Sequence, residues 1–226
     1  MKQKPKILIV GSGIVGSSIA LSCLNLGADV VVVEKDKLGG AASGNSFGWI
    51  NASFAESPAY FNLRNAAVDA FRNLKTELNL LDSVSWQGTL WWEDSGEDLN
   101  KQFNNLVDRR YPAKLLNKRE IEILEPNLID VPESAIFTPL EGAAEADQVA
   151  LALLNKLTDV GGKVISGCTV ESLKFKKGCV TGVQTNIGEM SCDMVVLATG
   201  AAAENALPGI DWNLPMQNKK GLIVQT

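Results

Sequence analysis

The 226-residue sequence contains no histidine, the side chain most used as a metal ligand and for proton transfer near neutral pH. Its four cysteines, Cys23, Cys168, Cys179 and Cys192, show no CxxC spacing. A zinc site would therefore have to be assembled from scattered thiolates and carboxylates, and none is expected. The cysteines read as small buried hydrophobes in a reducing compartment. No apolar run reaches the roughly 18 residues that a membrane helix needs. Lys2, Lys4 and Lys6 ahead of the apolar run at 7–20 imitate a signal peptide, but glycines at 11, 13 and 16 break that run at spacings with a better explanation. A cytoplasmic protein is expected. The densest basic cluster is only Lys174, Lys176 and Lys177 around Phe175, and the net charge is −5. Nothing here is an electrostatic footprint for nucleic acid.

What is present is the composition of a globular chain, 46% hydrophobic and 21% charged, enough to bury a core in one large domain or two small ones. Residues 7–10 form a wholly apolar strand, 14–26 carry helical spacing closed by Gly27, and 29–34 contain four consecutive valines. That is the pattern of a strand–helix–strand unit with a doubly buried parallel strand. Residues 39–48 read as a loop rich in Gly, Ala, Ser and Asn, and 58–81 as a long helix. From Val84 the pattern breaks into short pieces: 85–93 extended, 98–109 helical, 119–124 a helical turn, punctuated by Pro112, Pro126, Pro132 and Pro139. Asp147 is placed to cap a helix running to Val160, followed by a strand at 163–165. The segments 169–175, 180–185 and 188–192 read as an antiparallel meander, and 194–197 as a buried strand resuming the first sheet. We expect an α/β fold: a Rossmann-like dinucleotide-binding domain with an inserted β-meander, made of 1–85 and 141–210, around a partial α+β domain at 86–140, with 211–226 beginning a return into the latter.

Gly11-Ser12-Gly13-Ile14-Val15-Gly16 lies directly after a strand and opens a helix, where the GxGxxG fingerprint belongs. Gly11 allows the tight turn, Gly13 lets main chain approach a pyrophosphate, and Gly16 lets helix and strand pack closely, while the helix N-terminus supplies N–H donors. Glu34 ends the second strand eighteen residues after Gly16, where a carboxylate accepts hydrogen bonds from both ribose hydroxyls. A 2′-phosphate would meet that charge, so NADP is disfavoured. The competing reading is a glycine-rich turn with a solvated glutamate.

With these residues in place, the sequence resembles the FAD-dependent amine oxidoreductases that include D-amino-acid, sarcosine and glycine oxidases, from Lys6 to its end. The resemblance rests on the fingerprint, on a second loop at 39–46, on Glu141-Gly142-Ala143-Ala144-Glu145-Ala146-Asp147 and on Val195-Val196-Leu197-Ala198-Thr199-Gly200. It implies FAD as cofactor, with Lys35 beside the ribose and Ala42, Ser43, Gly44, Asn45 and Ser46 running along the pyrophosphate toward the flavin. Small residues there keep main-chain donors uncovered, which agrees. The same resemblance sets the backbone of Val170 against the adenine and Ala198, Thr199 and Gly200 beside the adenosine half.

Two departures stand out. Family members commonly have proline near the position of Ala146, and they continue well beyond residues 217–226. The expectation is therefore a truncated chain, or one completed by a partner. The reaction implied is oxidation of a small amine or amino acid to the imine by hydride transfer to flavin, chemistry carried by the cofactor and compatible with the lack of histidine. Arg64, Arg72, Arg109, Arg110 and Arg119 are cations that could orient a substrate carboxylate, with no means of choosing among them, and no catalytic residue is assigned. Trp91 and Trp92 read as core of the inserted domain rather than a lid, and Trp49 as a site wall. The alternatives are a non-catalytic FAD-binding subunit completed by a partner chain and, on the shared fingerprint alone, an NAD-linked dehydrogenase.

Overall fold

The computed structural model describes residues 4–80, 82–92 and 96–204; the segment at 211–226 lies outside them. In chain order the elements up to residue 91 are β1 (Lys6–Val10), α1 (Ile14–Asn25), β2 (Asp29–Glu34), β3 (Trp49–Ile50), α2 (Pro58–Glu77), β4 (Val84–Ser85) and β5 (Thr89–Trp91). There follow α3 (Gly96–Asp108), β6 (Lys114–Asn117), α4 (Lys118–Leu124), β7 (Ser134–Thr138) and β8 (Gly142–Ala144). The last are α5 (Ala146–Asp159), β9 (Lys163–Ser166), β10 (Val170–Lys176), β11 (Cys179–Thr185), β12 (Gly188–Ser191) and β13 (Met194–Leu197). By contacts the chain divides into two compact units, with boundaries at Gly48 and Glu145. The long helix α2 therefore counts with the second unit, whereas the sequence reading opens that part at residue 86.

The first unit is built on a parallel sheet in the order β13-β1-β2-β9. Parallel neighbours joined by one helix follow from the β1–α1–β2 sequence, because a parallel return needs a crossover. Alternation along the strands sends Leu8, Val10, Val31, Val33, Ile165 and Val195 to one face, where they pack with Val170, Val183, Cys168 and Cys192. The antiparallel meander β10-β11-β12 supplies that packing. Ile9, Val30 and Val32 alternate with them and are buried as well. Helices α1 and α5 pack on each other, burying Ala20 and Leu21 from one and Val149, Ala150, Leu153, Leu154 and Leu157 from the other. Two cysteines join the core, but Cys179 is exposed and Cys23 half-buried, so the reading of all four as buried holds for Cys168 and Cys192 alone.

The second unit carries two three-stranded sheets, β3-β8-β4 and β5-β7-β6. Helix α2 begins where Ser57 accepts a hydrogen bond from the Tyr60 N–H at 3.2 Å with Pro58 in the first turn, both ordinary start signals. It ends at Glu77, four residues short of the expected 81. The expected extended stretch at 85–93 is interrupted: Gly88, at φ +86°, separates β4 from β5. Helix α5 starts at Ala146 with Glu145 as its cap residue, and Asp147 sits inside the first turn, accepting from the Gln148 N–H. The expected cap position is thus corrected: Asp147 lies two residues past the cap residue Glu145, and its carboxylate takes the N3 N–H of Gln148 from inside the first turn.

Candidate cofactor site

Parallel strands place their carboxyl ends at one edge, and the loops leaving that edge are where open α/β sheets bind ligands. Strands β1, β2 and β13 deliver residues 11–16, 34–36 and 198–200 to that edge. The turn after β1 is stitched to both neighbours, through Gly11 N–H to Val33 C=O at 2.9 Å and Ala198 N–H to Val10 C=O at 2.8 Å. Gly11 has φ +106°, and a Cβ there would lie 2.4 Å from the Ala198 carbonyl oxygen. A Cβ on Gly16 would lie 2.0 Å from the Gly11 carbonyl oxygen. The first and third fingerprint glycines are thus required by close main-chain approach.

The second loop meets the first through another glycine. Gly40, at φ +76°, would put a Cβ 2.8 Å from Gly13 Cα, and the Ser43 hydroxyl oxygen accepts from the Ile14 N–H at 3.1 Å. Helix α1 has Gly13 as cap residue with no side chain of its own to cap it, so its opening amides other than that of Ile14 are presented to this groove of bare main chain. Val15 in that first turn is exposed. The other loop residues turn inward on their own segment: the Asn45 amide donates to Ala41 C=O at 2.7 Å, and Ser46 accepts from the Gly48 N–H at 3.0 Å. Ala42 precedes a short 3₁₀ turn, Ser43–Asn45, that contains Gly44.

Glu34 is 8% exposed and has no cation against it among the described residues. Burial pushes its carboxyl up, but hydrogen bonds from the N–H groups of Asp36, Ser12 and Lys35 and from the Ser12 hydroxyl outweigh this and hold it below the usual carboxylate range. Ser12 N–H and Oγ both reach Oε2 at 2.9 Å, and Asp36 N–H reaches Oε1 at 3.0 Å. The Lys35 ammonium stands at the surface, 3.6 Å from the Asp36 carboxylate. Val170 follows this edge, buried and paired with Thr185 on β11. Thr199 and Ala198 are half-buried, and Gly200 is exposed.

These features suit a dinucleotide. Glycine-lined main chain with N–H donors fits a diphosphate, and a carboxylate kept ionised fits ribose hydroxyls. The hydroxyls of Ser12 and Ser43 were included by position alone, and the bonds they make bridge 22 and 29 residues of sequence, which no local pattern signals.

In the second unit three of the five candidate arginines are committed. Arg64 donates to the carbonyls of Asn51 and Phe54 at 3.0 Å each, Arg72 to Leu140 C=O at 2.9 Å, and Arg109 to Ala55 C=O at 3.0 Å. Arg72 also stacks over Trp86 and Arg109 over Phe61, while Arg110 and Arg119 are exposed. Trp91 is buried against Phe54, ring centroids 4.6 Å apart, whereas Trp92 is 38% exposed. Trp49 packs edge-on to Phe54 and donates its indole N–H to Thr89 Oγ1 at 2.9 Å. Sequence reading missed Glu141, which is fully buried and accepts from Ala52 N–H and Ser53 N–H at 2.9 Å, Thr138 Oγ1 at 2.9 Å and the Tyr111 hydroxyl at 3.2 Å. Among the described residues no cluster of three or more acidic or cysteine side chains could hold a metal, and no helix is long and apolar enough to cross a membrane.

Residues 6–226 match the family model described as FAD dependent oxidoreductase. Among curated proteins the chain is 26% identical over 97% of its length to the bifunctional protein ThiO/ThiG of Nostoc sp., covering 34% of it. It is 24% identical over 96% of its length to sarcosine oxidase subunit beta of Rhodobacter capsulatus, covering 55% of that protein. Among solved structures, L-proline dehydrogenase from P. horikoshii superposes with a TM-score of 0.84 at 26% identity, over 95% of this chain and 58% of that one. The chain thus spans between about a third and three fifths of these relatives.

Proposed function

Since the chain belongs to the family of FAD-dependent oxidoreductases, we propose that it contributes the FAD-holding part of an enzyme that oxidises a small amine or amino acid to the imine. The observation that carries this reading is the convergence of two glycine loops and Glu34 on the carboxyl edge of one parallel sheet. Bound FAD would accept the hydride from the carbon that bears the amine. This chain's part is to seat the cofactor: Glu34 receives the adenosine ribose, with Lys35 at the same strand end. The amides of residues 13, 15 and 16, and the loop 42–46 whose Ser43 takes the Ile14 N–H, face the diphosphate, while Val170 and residues 198–200 line the adenosine half. The division into a cofactor part and a substrate part, with the second unit on the substrate side, belongs to the same reading. So does a reducing cytoplasmic setting, supported by four unpaired thiols.

A second reading is an FAD-holding subunit that a partner chain completes. Its support is the likeness to a protein named as a subunit of sarcosine oxidase. The purified protein separates the two. We expect a yellow flavin spectrum that anaerobic addition of a small amine or amino acid bleaches. Flavin that no member of an amine panel bleaches favours the subunit reading, and a colourless protein that FAD does not reconstitute removes both. Glu34→Ala should release FAD at dilutions where the parent retains it.

A further inference from the structure

Position 12 is one of three in the fingerprint, with 14 and 15, for which spacing asks nothing, yet the Ser12 side chain is completely buried. Its hydroxyl and its own N–H converge on a single oxygen, Oε2 of Glu34, each at 2.9 Å. An ionised carboxylate offers about four acceptor sites, two on each oxygen. Ser12 fills those of Oε2, while Oε1 accepts from the Asp36 N–H at 3.0 Å, and the Lys35 N–H is a further, weaker donor to the carboxylate.

We propose that Ser12 is the positioning residue for the ribose grip: by locking Oε2 it fixes the plane of the Glu34 carboxylate and directs the acceptor capacity of Oε1 to the adenosine hydroxyls. The inference rests on the FAD reading above, and it concerns a residue that acts through Glu34 without touching ribose. Charge-assisted hydrogen bonds to a buried carboxylate are strong enough for such control. The other groups around Glu34 leave it the task. Helix α1 has no charged residue in its first turn. Lys35 and Asp36 face each other at the surface. Beyond β9, Cys168 meets Glu34 through its N–H on the main-chain carbonyl at 2.9 Å.

The test compares Ser12→Ala, Ser12→Thr and Glu34→Ala, and the double variant of Ser12→Ala with Glu34→Ala. In the FAD-free protein, titration of the Glu34 carboxyl carbon by NMR should move upward in Ser12→Ala and return toward the parent in Ser12→Thr. An unmoved titration in correctly folded Ser12→Ala overturns the proposal. FAD dissociation constants should rise about tenfold on Ser12→Ala in the parent, the scale of one lost hydrogen bond to a charge. The same substitution should change nothing in the Glu34→Ala background, where no acceptor is left for Ser12 to orient. Equal losses in both backgrounds would mean a packing role and also overturn it. A parent protein that never takes up FAD sinks the functional reading and the ribose role together, while the titration still decides whether Ser12 sets the carboxylate.

Discussion

Among the described residues two buried carboxylates, Glu34 and Glu141, are held by dipoles, with no ion pair between either of them and a described cation, and this makes their neighbours the sensitive positions. Glu141 is the more extreme, at zero exposure with four donors converging on it. Glu141→Leu would strand two main-chain N–H groups and two hydroxyls, and should cost about 3–5 kcal/mol, because unsatisfied buried donors lose their full solvation. Glu141→Gln retains an acceptor oxygen and should cost about 1–2 kcal/mol. Urea midpoints of the two variants check this, and equal losses would show that volume rather than donor satisfaction sets the cost. The phenol of Tyr111, buried and beside the Glu141 charge, is pushed well above its usual range. A raised acid keeps its contribution below the unfolded value near 10 and loses it as pH climbs past that toward the folded one. Alkaline unfolding should therefore begin above about pH 10 and shift in Tyr111→Phe. Glu34 runs the other way: its folded value is lowered, so its contribution is present above roughly pH 4.5 and fades as pH falls through the folded value.

At the scale of elements, what could be read depended on length and on how local the cause was. The β1–α1–β2 unit was legible to within a residue or two, because an apolar strand, a 3.6-residue period and a valine run each speak for themselves. So were the three meander strands and β13. Strands β3, β6, β7 and β8 were not. Two to five residues give too few turns of the pattern, and β8 is Gly142-Ala143-Ala144, which no strand preference favours. Its reason lies in other elements: a Cβ on Gly142 would stand 2.1 Å from the Ser85 carbonyl oxygen and 2.9 Å from the Trp86 ring. Gly142→Ala should thus destabilise by about 2 kcal/mol or more, since main chain on β4 must shift to admit it. By contrast, Ser57→Ala removes one cap bond on α2 and should cost about 1 kcal/mol. In the candidate site the split is the same. The fingerprint glycines and Glu34 follow from spacing, whereas the Ser12 and Ser43 bonds depend on which strand ends the sheet brings together.

For the molecule as a whole, charge makes a prediction that shape does not. The chain carries −5, and FAD adds the negative diphosphate. If lysines or arginines held that diphosphate, added salt would screen the attraction and weaken binding steeply. The described site offers N–H dipoles instead: the first turn of α1, Ile14 to Ser17, is uncharged, Lys35 is paired with Asp36 at the surface, and the loop 42–46 is uncharged. Short-range hydrogen bonds to main chain are little affected by ions, while repulsion between the net-negative protein and an anionic ligand is relieved by them. The FAD dissociation constant should accordingly stay level or fall slightly between 0.05 and 0.5 M sodium chloride. Fluorescence titration of free FAD against the apoprotein measures it. A tenfold weakening over that range would mean that a cation, with Lys35 the first to replace by Ala, engages the diphosphate after all.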